Sequence, residues 1–191
     1  IEYPVRMLGD ADVGIAVIGQ THAGITGVQD AWEFGVPSAM PRPHASGKRG
    51  VKAGLVPLDA LPDRSAGWSA VDWVVWPQAD PSAISAESLD ALLGWVASGG
   101  HLFVTVTDRH QRMTGPLADA LPLRFDGVDD LDNVGPLFQV MGLRPPQEEG
   151  LYPVGRATLD TSDRHFEVLA SLNDRPVWAL GGYGLGTVHA L

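Results

Sequence analysis

GWSAVDWVVWP (residues 67–77) and, six residues on, ISAESLDALLGWVASGGHLFVTV (84–106) read as strand, capped helix, glycine stop and strand. Asp72-Trp-Val-Val-Trp76 is an unbroken apolar run, the pattern of a strand buried on both faces. Ser85 is a good N-cap, and Glu87 lies in the first turn, where a negative charge favours the helix start. Ile84 before the cap and Leu89 in the fourth helical position form a hydrophobic staple. Leu89, Leu92, Leu93 and Val96 follow at i, i+3, i+4 and i+7, one core-facing stripe, with Trp95 at its edge. Gly99 stops the helix by taking a backbone conformation that costs other residues more. His101 to Val106 is the next strand. A strand, helix and strand of this length imply a right-handed parallel crossover, so the fold class is α/β.

The rest of the chain is consistent with one such domain, spanning 1–191. A length of 191 residues, 45% apolar and 19% charged, supports a folded core and argues against disorder. The net charge of −10 repels phosphate backbones, which argues against nucleic-acid binding. There is no cysteine, which excludes disulfides, thiolate metal sites and thiol catalysis. No apolar run approaches the ~18–20 residues of a membrane span, and no signal peptide is evident. The sequence opens on Ile1 and stops on Leu191 within an apolar run, which reads as a segment of a longer protein.

Working outward, Val13 to Gly19 reads as a buried parallel strand and Val28 to Phe34 as a short helix. Pro37 to Gly54 reads as a long loop, and Leu55 to Leu58 as an edge strand because Pro57 removes a ladder bond. Gly115 to Leu121 is a short helix with proline in its first turn. Asp126 to Gly150 reads as loop. Arg156–Leu159, Phe166–Leu169, Val177–Leu180 and Thr187–Leu191 are short β-like runs, and the glycines between 181 and 186 mark a C-terminal β-hairpin.

Ligands of parallel sheets bind beyond the carboxyl ends of the strands, so the turn after Val106 is the first place to look for chemistry. It carries Thr107, Asp108, Arg109 and His110. A turn of this kind can hold a nucleophile outward, and Thr107 is a weak one that needs a base such as Asp108 or His110 within hydrogen-bond reach. His165 and Glu167, two apart on a strand, share a face and can form an orienting pair. Asp129, Asp130, Asp132 and Asn133 offer oxygen ligands but lack the Glu and Gly spacing of a calcium loop, so they read as a solvated acidic loop. The six histidines show no ligand spacing. No metal and no cofactor is implied. Trp32 and Trp68 lie near loops and, with Tyr183, can form a platform for a sugar or a protein.

The segments LPDRSAGWSAVDWVVWP and ISAESLDALLGWVASGGHLFVTV resemble the core of the class I glutamine amidotransferase-like superfamily. They are most similar to its divergent, non-catalytic branch, with ThuA-like and β-galactosidase middle-domain relatives. The resemblance implies a flavodoxin-like three-layer sandwich with a mainly parallel central sheet. It puts Thr107 where active members carry cysteine, followed by Asp108 and Arg109, with His110 and Gln111 resembling the His-Gln that often follows. His165 and Glu167 match the form of the His-x-Glu pair, closer to the elbow than the family pattern has it. Without the thiol the usual glutamine hydrolysis is lost. The resemblance therefore implies a non-catalytic domain of a larger bacterial, membrane-anchored protein, on the extracytoplasmic side. Its partners would be other domains of the parent or partner proteins, and it would meet the membrane only through the parent chain. Thr107, Asp108, Arg109 and Trp68 are the candidate ligand contacts. Two alternatives stay open: a hydrolase acting on a sugar or small amide through Asp108, His110 or His165, and a carbohydrate-binding module.

Overall fold

The computed structural model describes residues 13–19, 51–106, 110–140, 150–159 and 165–191. The helix expected at Val28–Phe34, Trp32, most of the Pro37–Gly54 loop, and Thr107, Asp108 and Arg109 lie outside the described residues. The described strands are β1 (Val13–Ile18), β2 (Val51–Val56), β3 (Trp73–Trp76), β4 (His101–Val104), β5 (Leu123–Leu131), β6 (Tyr152–Leu159), β7 (Phe166–Leu172), β8 (Arg175–Tyr183) and β9 (Gly186–Ala190). The helices are α1 (Ala86–Ala97), α2 (Gly115–Ala120) and α3 (Gly135–Val140).

Seven strands form one sheet in the order β2-β1-β3-β4-β9-β8-β7. The first five pair in parallel; β8 then pairs antiparallel to β9, and β7 antiparallel to β8. β5 and β6 form a separate antiparallel ribbon. The chain is thus α/β with a mostly parallel sheet and antiparallel C-terminal strands.

α1 forms as its sequence dictates. The Ser85 hydroxyl accepts from the Ser88 N–H at 3.1 Å. At the other end the Gly99 N–H donates to the Val96 carbonyl at 2.9 Å and the Gly100 N–H to the Trp95 carbonyl at 3.2 Å. Those two bonds, with Gly99 at φ +120°, are a Schellman stop. The stripe Leu89, Leu92, Leu93 and Val96 is buried against Ile18, Val74, Leu102, Val104 and Val188 on one face of the sheet. Trp95 is buried with it, its indole lying over Gly100, where any Cβ would overlap the ring.

The Gly-rich hairpin turns at Gly184-Leu185 and closes on the end of α1. The Leu185 N–H donates to the Ala97 carbonyl at 2.9 Å, satisfying an acceptor the helix leaves over. A second tight turn, Asn173-Asp174, joins β7 to β8 with both residues at positive φ (50° and 61°), the geometry that matches strand twist.

Four expectations need correction. The stretch expected as loop from Asp126 contains the second half of β5, and α3 follows it. Charges and a bulge at Phe125/Gly127 hide the strand's alternation. β2 starts at Val51 and not at Leu55, so four residues of the expected loop belong to it; among the described strands it is at the edge, paired in parallel to β1. The acidic run is a solvated loop only in part: Asp132 and Asn133 follow β5 and are exposed, whereas Asp129 lies in β5 and accepts from Arg156 at 3.1 Å and from Arg175 at 2.7 Å. Trp68, a candidate ligand contact, is 2% exposed. It ends a 3-10 turn (Ser65–Trp68) that packs under α1, with its ring 6.1 Å from that of Trp95. A side chain so enclosed cannot serve as a surface platform.

Candidate functional site

The carboxyl ends of β1, β3, β4 and β9 meet at one edge of the sheet. Asp72 fixes the register from the opposite edge. Its carboxylate accepts from the Gly14 N–H at 2.8 Å while its own N–H donates to the Gly14 carbonyl at 2.9 Å, locking β3 to β1. At the carboxyl edge, the Gln78 N–H donates to the Thr105 hydroxyl at 2.8 Å, and the Ala79 N–H to the Thr105 carbonyl at 3.0 Å. Thr105 thus holds the exit of β3, and Gln78 sits at φ +47°, a region that costs a residue with a side chain.

Two residues on, Asp80 is buried at 4% exposure. It accepts from the Ser82 N–H at 3.1 Å, from the Ser82 hydroxyl at 2.5 Å and from Arg112 Nη1 at 2.5 Å. The Ser82 hydroxyl first, and then the Arg112 guanidinium, hold its carboxyl below the usual carboxylate range. A carboxylate saturated in this way is an anchor and not a proton acceptor. It ties the His110–Arg112 turn to the end of β3. The other side of the β4 exit is tied by the Val106 N–H, which donates to the Leu191 carbonyl at 2.7 Å. Val106 and the His110–Arg112 turn, on either side of 107–109 in sequence, are therefore each anchored to the sheet. Sequence reading missed Asp80 and Gln78, although Asp-Pro-Ser at 80–82 is an N-cap signal.

The β5–β6 ribbon closes over this edge. A Cβ on Gly155 would lie 2.5 Å from the Val106 carbonyl oxygen and 3.0 Å from the Phe125 ring. Leu123 and Ala157 are buried in the same core as α1. The space just beyond β4 is therefore taken by ribbon backbone and Phe125.

His110 is half-buried, and its carbonyl accepts from the Met113 N–H at 3.1 Å. His165 and Glu167 are exposed and stand at the start of β7. The His165 carbonyl accepts from the Gly182 N–H, Gly182 pairs with Thr187, and Thr187 pairs with His101, the first residue of β4. His165 is therefore level with the amino end of β4, three strands away. Strand spacing and rise put it ~20 Å from the Val106 exit. The structure does not bring His165 or Glu167 to the turn after β4.

It does bring together a group that no spacing rule joins. On the sheet face opposite α1, Trp73 lies 4.8 Å from the His101 ring and 5.3 Å from the His189 ring. Phe103 and Trp178 complete the cluster around His189. His101 Nδ1 is 2.7 Å from the Thr187 hydroxyl, whereas His189 Nδ1 is buried with no hydrogen-bond partner among the described residues. Burial, and then the neighbouring His101, push the His189 imidazole down to about 4, so it is neutral at pH 7. Among the described residues no three His, Asp or Glu side chains converge as a metal-binding set.

No protein-family model matches the chain, and no curated protein matches it by sequence. Solved structures do. The cytoplasmic protein STM1381 from Salmonella typhimurium LT2 superposes with a TM-score of 0.62 at 15% identity, over 94% of this chain and 87% of its own. The cytoplasmic protein STM3548 from Salmonella typhimurium gives 0.60 at 14% identity, over 94% and 86%. At such identities the likeness is one of fold: this chain is built like these two proteins.

Proposed function

We propose that this chain is a non-catalytic, amidotransferase-like domain that works by binding a ligand or a partner protein. In this reading it has a flavodoxin-like three-layer arrangement. The order β2-β1-β3-β4-β9 supports it, since this is the 2-1-3-4-5 order of doubly wound sheets with β9 as the fifth parallel strand. The observation that carries the non-catalytic reading is the separation of the parts. Acyl transfer at an elbow needs a base within about 3 Å of the nucleophile, yet the His165–Glu167 pair lies at the amino end of an edge strand, far from the β4 exit. The absence of cysteine from the whole sequence and the Gly155 and Phe125 packing on Val106 point the same way.

What the sequence offers after β4 is the polar run Thr107-Asp108-Arg109, and Arg112, three residues on, pairs with the buried Asp80. This is the contact surface of the proposal. The parent is a larger bacterial protein, anchored in the membrane with this domain outward. That part rests on the family resemblance alone, while the two structural neighbours carry the word cytoplasmic in their names. A phosphatase reporter fused to the full-length parent tests the placement: activity is expected outside the cell, and an inactive fusion overturns it. For the chemistry, the purified chain is assayed against glutamine and a panel of small amides and esters. No turnover above buffer is expected; turnover that Thr107→Ala abolishes would overturn the reading.

A further inference from the structure

The sequence contains one Asp-Gly step, Asp126-Gly127, and no Asn-Gly. An aspartate followed by glycine is where a main chain rearranges most readily, because glycine has no Cβ to shield its nitrogen and takes the backbone angles that ring closure needs. The Gly127 nitrogen attacks Asp126 Cγ. A C–N bond forms, and one carboxyl oxygen leaves as water. The five-membered succinimide then takes up a water at either carbonyl. Opening on one side restores aspartate. Opening on the other leaves the chain running through the former side-chain carbonyl, an isoaspartate of unchanged mass. Water is lost and regained, and no other reactant is needed.

The structure places this step at the bulge of β5. Phe125 pairs with Ala157 and Gly127 with Arg156, so Asp126 is the extra residue, opposite none on β6. A bulge residue escapes the regular ladder that holds a strand extended. The Asp126 side chain is 61% exposed, so water reaches the ring once it forms. Arg156 stands against both residues of the step. Its Nε donates to Asp126 Oδ1 at 2.9 Å, and its guanidinium fills the space that a Cβ on Gly127 would take. Its Nη1 donates to Asp129 at 3.1 Å, and Arg175 Nη1 donates to the other Asp129 oxygen at 2.7 Å, so the guanidinium is braced from its far end. A larger residue at 127 would push the guanidinium away. The glycine that seats Arg156 is therefore the same glycine that exposes the bond to rearrangement.

We propose that Asp126-Gly127 is the isoaspartate-forming site of this chain and that Arg156 restrains it by holding the Asp126 carboxylate. Two requirements of ring closure conflict with that hold. Cγ must turn towards the Gly127 nitrogen, which breaks the bond to Nε. The departing oxygen must carry a proton, and Nε already directs its own N–H at a carboxylate oxygen. The consequence of rearrangement falls on the ribbon. Isoaspartate adds a methylene to the main chain at the bulge, so β5 beyond it loses register with β6. Gly155 of β6 packs on the Val106 carbonyl, so the change loosens the cover over the β4 exit. The site stands apart from the non-catalytic reading above, since it concerns the chain's own bond and not turnover.

The full chain, its Arg156→Gln and Arg156→Lys variants and the peptide LRFDGVDD (123–130) are aged side by side at neutral pH. Isoaspartate is counted by enzymatic methylation of its free carboxyl group and located by peptide mass spectrometry. The peptide is expected to rearrange fastest and the folded parent slowest. Arg156→Gln should be at least about threefold faster than the parent, the ratio that loss of an exposed ion pair supports. Arg156→Lys, which keeps the charge but not the guanidinium seat on Gly127, should fall between. Rates are compared where circular dichroism shows the chains folded, and if Arg156→Gln does not fold, Arg156→Lys supplies the comparison. The isoaspartyl form, separated by ion exchange, should melt below the fresh chain. The proposal is overturned if isoaspartate accumulates at another residue, if the folded parent rearranges as fast as the peptide, if a folded Arg156 variant is no faster than the parent, or if the isoaspartyl form melts with the fresh chain.

Discussion

Trp68 separates two pictures of this protein, and replacing it tests them. Its ring is buried in the main core beside Trp95, under α1. A tryptophan in such a place buries ~150–250 Å². At ~25 cal/mol per Å² that corresponds to about 4–6 kcal/mol, and truncation of large aromatics in cores costs about 3–5 kcal/mol. Trp68→Ala should therefore destabilise by about 3–5 kcal/mol. For a domain of this size that is a fall of order 10 °C in Tm. Trp68→Phe should behave differently. The indole N–H of Trp68 is buried without a hydrogen-bond partner among the described residues. Phenylalanine gives up roughly a ring edge of apolar contact, ~1 kcal/mol, but also removes an unsatisfied donor whose burial costs ~1–3 kcal/mol. The two changes nearly cancel, so Trp68→Phe should lie within about 1 kcal/mol of the parent. Urea unfolding followed by circular dichroism measures both, with the m-value checked for constancy. A cost below about 1 kcal/mol for Trp68→Ala would refute the packing argument. It would also return Trp68 to the surface platform suggested by its place near a loop.

Two further outcomes are expected. Gly186→Ala would drive a methyl group into the carbonyl oxygens of Val96 and Gly100, which are fixed backbone. The cost should be about 3 kcal/mol or more, beyond ordinary overpacking, and a Tm unchanged by thermal melt would show that the hairpin does not rest on α1 as described. His189 is held neutral by burial, with a folded value near 4 against 6.5 unfolded. A depressed value means that the unfolded chain binds the extra proton first, so stability is full above about pH 6.5 and falls as the pH drops towards 4. The loss reaches at most about 3 kcal/mol. His189→Leu should flatten the stability profile between those limits, and an unchanged slope in urea midpoints measured from pH 7 to 4 would contradict the burial.

The central α/β unit was legible because its signals are local. Ser85, the Leu89–Val96 stripe and Gly99 act within one or two turns of each other, and each feature formed as its residue type requires. The C-terminal strands were legible for the same reason, through short β-branched and aromatic runs broken by glycine. β5 was not. DGVDDL (126–131) has no alternation, and it is a strand through its antiparallel ladder to β6, a distant partner, with Arg156 and Arg175 reaching Asp129 across it. Trp68 was misjudged because proximity to a loop says nothing about what packs above it. The candidate site was legible only as a position. That the carboxyl edge follows Val106 comes from the strand order of α/β units, but Asp80 as its anchor, and Gly155 as its cover, are contacts over 30 or more residues.

The sequence by itself determined the fold class, the helix with its caps, the hairpin and the absence of a thiol, because capping, periodicity and composition are short-range properties. Only the tertiary structure decided which side chains meet. It separated His165 and Glu167 from the β4 exit, gathered Trp73, His101 and His189 on one face, and set Arg156 and Arg175 on a single carboxylate. Such meetings follow from strand order and register, and those are fixed by the burial of the whole sheet.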